Sequence, residues 1–129
     1  MNNKKIGNSF EREWCEWLHS QGHFVHFVEP KKNGTQPFDV WSIHDYVFYA
    51  YDCKTLGGKR FALSRVEENQ RNAFDLLWKQ GISTTYIVIK NENGVYKIPY
   101  LIVKGHIDKG DNSLKVTDYE HYRVEGYNR

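Results

Sequence analysis

Six consecutive residues, Tyr49-Ala50-Tyr51-Asp52-Cys53-Lys54, constrain this chain more than any other stretch. Aromatic residues alternating with small or polar ones read as a β-strand, whose side chains leave on alternate faces. Ala50, Asp52 and Lys54 then share one face, and Tyr49, Tyr51 and Cys53 the other. A carboxylate beside an ammonium at the end of an aromatic strand must, if buried, be paired or hold a ligand. The same layout can hold a metal ion beside a phosphate while the ammonium steadies an attacking water. Upstream, Pro37-Phe38-Asp39 places a second carboxylate at the start of another strand.

At 129 residues, 40% hydrophobic and 16% aromatic, the chain can bury a real core. One domain over 1–129 is predicted, with a core over about 7–103 and a C-terminal extension over 104–129. The net charge of +2 neither demands nor excludes nucleic acid, because distribution decides that. Cys15 and Cys53 make no disulfide framework and no zinc motif, which points to a reducing cytoplasm. No apolar run is long enough to span a bilayer, and Met1-Asn2-Asn3-Lys4-Lys5 leads into no signal-peptide core, so no membrane partner is expected.

Phe10, Trp14, Trp17 and Leu18 fall at helical spacing, with Asn8-Ser9 as the expected N-cap and Gly22 as the stop. Phe24 to Val28 reads as a buried strand with His26 packed inside it. Glu29 to Pro37 reads as a loop carrying Lys31 and Lys32. Strands are predicted over Phe38 to Ile43 and Tyr46 to Lys54, joined by a tight turn at His44-Asp45. A glycine-rich basic loop follows, Thr55 to Arg60. Ser64 and Glu67 have capping-box spacing for a second helix striped by Val66, Ala73, Phe74 and Leu77 and stopped by Gly81. Thr84 to Ile89 is a β-branched strand, and Asn93-Gly94 signals a hairpin into a strand over Val95 to Val103. Beyond Gly105 the pattern weakens, with Leu114 to Val116 a candidate edge strand and a polar tail after it. The order is α-β-β-β-α-β, an α/β fold with a mixed sheet flanked by helices.

Polar residues interrupt this pattern at four places. Glu11 flanks the apolar stripe of the first helix, as a capping partner, a favourable charge near the N-terminus or a site residue. Gln70 lies inside the stripe of the second helix, where its amide must find partners, structural or functional. Asp39 could be a simple strand-opening aspartate, and Asp52 with Lys54 a solvated ion pair. Their joint occurrence on neighbouring elements is what points to a site. The six histidines show no metal-ligand spacing, and Gly57-Gly58-Lys59 lacks the spacing of a P-loop.

The set Glu11, Pro37-x-Asp39 and Asp52-x-Lys54 resembles the PD-(D/E)xK nuclease superfamily, whose core is the restriction-endonuclease-like fold. Gly7-x-x-x-Glu11, Phe61-x-Leu63 and Asn69-Gln70 extend the resemblance to RecU-like Holliday-junction resolvases and phage-type nucleases, over about Gly7 to Lys90. Phe38 stands between Pro37 and Asp39 where the superfamily has them adjacent, and Asp52 stands where Glu is more frequent. The resemblance implies a metal-dependent DNA endonuclease, structure-specific and resolvase-like. Other members of the superfamily (an exonuclease or a restriction-like endonuclease) or a silent DNA-binding module are the alternatives. It implies Mg2+, with Mn2+ as a substitute, held by Glu11, Asp39, Asp52 and the Cys53 backbone carbonyl. Lys54 would assist the water and Gln70 support the site. Branched or duplex DNA would be gripped by Lys31, Lys32, Lys59, Arg60, Arg65 and Arg71. A homodimer in the cytoplasm of a bacterium or a phage-infected host is the implied setting.

Overall fold

The computed structural model describes residues 3–30 and 36–127, with side chains from residue 9 onward. Helix α1 (Asn3–Ser20) precedes strands β1 (Phe24–Phe27), β2 (Val40–His44) and β3 (Val47–Thr55). A short strand β4 (Arg60–Ala62) and a 3-10 turn lead into α2 (Glu68–Lys79). Then come β5 (Thr85–Asn91), β6 (Gly94–Pro99), α3 (Tyr100–Asp108) and β7 (Ser113–Lys115), with a closing 3-10 segment (Val116–Tyr122). The main sheet is ordered β1-β2-β3-β5-β6, and β4 pairs with β7 in a separate two-stranded sheet. All neighbours in the main sheet are antiparallel except β3 and β5, which run parallel and need α2 as their crossover.

Each sheet face buries its own cluster. Phe10, Trp14 and Leu18 seat α1 against Tyr51, Cys53 and Val88. On the opposite face, Ala50, Ile87 and Ile89 pack beneath Phe74 of α2 and Tyr100 and Val103 of α3. The predicted division of β3, with Ala50 on one side and Tyr51 and Cys53 on the other, is therefore the observed one. Leu114, on a short strand paired to β4 where an edge strand is predicted, and Val116 belong to the same core as α2. Tyr119, Val124 and Tyr127 beyond them pack against the two cores, so the residues after Val116 are not a polar tail. Among the described residues, no helix is long and apolar enough to cross a membrane.

Local expectations fail where tertiary context overrides a short signal. Helix α1 starts at Asn3, so Asn8 and Ser9 lie within it and do not cap it. Strand β1 is a sheet edge: Phe24 is 66% exposed, and His26 is exposed and stacked 5.1 Å from Trp41 instead of packed in the core. The strand predicted to reach Val103 stops at Pro99, which lacks an N–H for the ladder, and α3 begins at the next residue, burying Tyr100 and Val103 at helical spacing. Ser64 sits in the 3-10 turn, and the N-cap of α2 is Glu67, whose backbone N–H donates to Gln70 Oε1 at 3.0 Å.

The β2–β3 turn falls at Asp45 and Tyr46, one residue later than predicted, with φ of 49° and 69°. Two consecutive left-handed residues define the turn that matches strand twist in a two-residue hairpin, and glycine suits the second of them best. Tyr46 is fully exposed. Tyr46→Gly is therefore expected to stabilise the fold by about 1 kcal/mol. Urea unfolding would read this, and a loss of stability would contradict the strain.

Candidate active site

The site forms where β2 stops and β3 continues. The last backbone bond between them runs from Asp39 N–H to the Tyr51 carbonyl at 3.0 Å. One step beyond, the Asp39 side chain takes the place of the missing strand, with Oδ2 accepting from the Cys53 N–H at 2.8 Å. Ala50 and Leu56 donate to Thr84 and Lys90 on the β5 side, so even-numbered residues of β3 bond towards β5 and odd-numbered ones away from it. The Cys53 carbonyl consequently points into the fork opened beside Asp39.

Asp52 is completely buried in that fork. Its Oδ1 accepts from Gln70 Nε2 at 2.8 Å, while Oδ2 lies 3.2 Å from Lys54 Nζ without an aligned hydrogen bond. Burial, and then the neighbouring Asp39 carboxyl, push the Asp52 pKa well above the carboxylate range, and Lys54 only partly opposes them. Glu11, reaching in from α1, is raised to about 7 by burial and Asp39, again against Lys54. Asp39, Asp52, Lys54 and Gln70 are thus joined by direct contacts or hydrogen-bond reach, with Glu11 electrostatically coupled at the flank.

Three carboxyls around one ammonium leave, among the described residues, an excess of negative charge that protons or a cation must balance. Among the described residues, no three His, Cys, Asp or Glu side chains stand close enough to enclose a metal ion by themselves. Two aspartates with a backbone carbonyl nonetheless fit a hard cation that keeps several of its waters, as Mg2+ does. The unaligned, buried Asp52 Oδ2 is the atom such a cation would satisfy. The thiols are poor candidates for a softer metal: burial raises Cys15 to about 11 and Cys53 well above its usual value, so both stay protonated.

These shifts fix a pH dependence. A carboxyl whose pKa is higher folded than unfolded destabilises the fold once pH passes its unfolded value. Without divalent cations, stability is expected to decline from about pH 4.5 to pH 7 as Glu11 is forced to ionise, and the raised Asp52 carboxyl adds to the decline. Thermal unfolding in EDTA across that range would measure it. A flat profile, or one rising with pH, would contradict the assigned shifts.

No protein-family model matches the chain, and no curated protein matches it in sequence. Among solved structures it is similar to Hjc, a Holliday junction resolvase from the archaeal hyperthermophile Archaeoglobus fulgidus. The TM-score is 0.66 and the identity 18%, over 89% of this chain and 93% of that one. The fold is restriction-endonuclease-like.

Within this Hjc-like fold the basic residues divide. Lys31 and Lys32 lie outside the described residues. Lys59 and Arg60 are exposed on the segment leading into β4, with Arg60 Nη1 donating to Ser113 Oγ at 3.0 Å. Arg65 is turned inward: Nη1 donates to the Thr55 carbonyl at 2.8 Å, and its guanidinium lies 5.3 Å over the Phe61 ring. It anchors the chain that leaves Lys54. Arg71 lines a cavity of about 730 Å³ with Glu67, Ile107 and Asn112, a space that none of the clustered carboxylates borders. Sequence reading could mark these four as basic but not that Lys59 and Arg60 are exposed while Arg65 and Arg71 are half-buried.

Proposed function

We propose that this chain is a Mg2+-dependent DNA endonuclease that cuts branched DNA, acting as a homodimer with one site per copy. The observation that carries the proposal is the fully buried Asp52, bonded to Gln70, paired with Lys54 and set against Asp39 at the fork between β2 and β3. The Hjc-like fold supports the substrate class, since Hjc is itself a Holliday junction resolvase.

Asp39, Asp52 and the Cys53 carbonyl would hold the cation, with Glu11 joining directly or through water. When bound, Mg2+ would acidify a coordinated water and neutralise charge gathering on the phosphate. Lys54 Nζ, held 3.2 Å from Asp52 Oδ2, would orient that water and stabilise the extra negative charge as the P–O bond to it forms. The bond from phosphorus to the 3′ oxygen would then break, the water's proton passing to solvent and the departing oxygen taking one from it, to leave a 5′-phosphate and a 3′-hydroxyl. Gln70 holds Asp52 in register throughout, because its amide is fixed at both ends, to Glu67 N–H and to Asp52 Oδ1. Lys59 and Arg60 would grip phosphates without reading sequence.

The test is a labelled panel of four-way junction, flap, linear duplex and single strand, incubated with the protein and Mg2+. Paired symmetric cuts in the junction are expected. Equal cutting of every substrate would remove the branch specificity, and tight binding without cutting in Mg2+ or Mn2+ would overturn the enzymatic reading.

A further inference from the structure

Asp39 lies outside any strand, yet its carboxylate has to meet that of Asp52 closely. The backbone around it is tied on one side by Asp39 N–H to Tyr51 and by Val28 N–H to the Asp39 carbonyl at 2.8 Å. On the approach side the tie comes from α2. Asn69 Nδ2 donates to the Gln36 carbonyl at 2.9 Å, and the Phe38 ring stacks on Phe74, one turn further along, at 6.0 Å and 14°. The neighbouring residue on the same helix turn, Gln70, holds Asp52. Consecutive helix residues project about 100° apart, so one turn can reach both the 36–39 segment and β3.

We propose that Asn69 is a positioning residue for Asp39, and that the first turn of α2 sets the separation of the two aspartates by gripping both segments that carry them. This rests on the metal-binding reading of the site. Asn69 is half-buried and bonds a backbone carbonyl three residues before Asp39; it acts through Pro37, whose ring fixes φ and transmits the anchor stiffly. Partners that orient a metal ligand from behind are typically worth about 10- to 100-fold in metal affinity.

The experiment is calorimetric titration of Mn2+ into the wild-type chain, Asn69→Ala, Asp39→Asn and the double variant, with Mn2+-dependent junction cleavage beside it. Asn69→Ala is expected to weaken Mn2+ binding about tenfold. It should also raise the Mn2+ concentration for half-maximal cleavage by the same factor, while the rate at saturating Mn2+ changes little. In the Asp39→Asn background Asn69→Ala should cost nothing more, because the residue it positions is gone. Wild-type affinity in Asn69→Ala, with Asp39→Asn impaired, would overturn the positioning role and leave the metal site standing. An equal loss in both backgrounds would also overturn it, since Asn69 would then act elsewhere. Mn2+ binding absent from the wild type, or unchanged by Asp39→Asn, would overturn the metal site and the positioning role together.

Discussion

Asp52→Asn is expected to lower Mg2+-dependent cleavage by about a thousandfold or more while making the metal-free protein more stable. The catalytic loss follows from removing a ligand charge where the cation and the phosphate meet, a site at which electrostatic terms supply several kcal/mol. The stability gain follows from burial. Asp52 is fully enclosed, with Lys54 alone among the described residues to balance it, while burial and Asp39 already oppose its ionisation. Asparagine keeps an oxygen for Gln70 Nε2 and removes the least tolerated charge in the fork. At pH 8 in EDTA the variant should gain about 1–2 kcal/mol, the range usual when a strained functional group is neutralised. The gain should vanish below about pH 4, where Asp52 is protonated in the unfolded chain as well as in the fold. With Mg2+ present the order should narrow or reverse, because only the wild type is stabilised by binding. Urea unfolding at two pH values, with and without Mg2+, measures all three. A variant that is less stable in EDTA at pH 8 would show that Asp52 is a structural ion-pair member.

Lys54→Ala should give the opposite stability change with a comparable loss of activity. Among the described residues its ammonium is the single positive charge in contact with the buried carboxyl, and its side chain is only 16% exposed. Removing it leaves Asp52 without a counter-charge, which in a buried pair costs about 3 kcal/mol or more at a pH where the carboxyl would ionise. Acid should restore much of that loss, and so should Mg2+, since either supplies the missing positive charge. Cleavage should fall about 100- to 1000-fold through the lost stabilisation of the transition state. Mn2+ affinity should hold or improve, because a cation no longer competes with the ammonium for Asp52 Oδ2. A titration in which Lys54→Ala abolishes Mn2+ binding would contradict the role given to Lys54.

The legible part of this site is the part governed by strict periodicity. The two-residue repeat of a strand puts Asp52 and Lys54 on one face and Cys53 on the other without reference to anything distant. Gln70 is legible because an amide in an apolar helical stripe must be satisfied by something. The bond from Cys53 N–H to Asp39 Oδ2 is not legible, because it depends on β2 beginning at Val40, one residue after the aspartate expected to open it. Edge and centre are equally hidden: Phe24 to Phe27 is apolar enough for a buried strand, but nothing local says that no neighbour lies beyond it. The run Tyr100 to Val103 is ambiguous for a related reason, since four apolar residues suit strand or helix until Pro99 and the packing of Tyr100 and Val103 decide. Arg65 shows the limit for charges: the Thr55 carbonyl and Phe61 ring that engage it become neighbours only once the β3–β4 connection is folded.

The most direct measurement is cleavage of an end-labelled four-way junction by the full chain in Mg2+, in EDTA, and by Asp52→Asn in Mg2+. The expected result is cutting by the wild type in Mg2+ alone, with no product in EDTA or from Asp52→Asn. Cutting that persists in EDTA, or that Asp52→Asn leaves unchanged, would contradict a metal-dependent nuclease centred on the fork between β2 and β3.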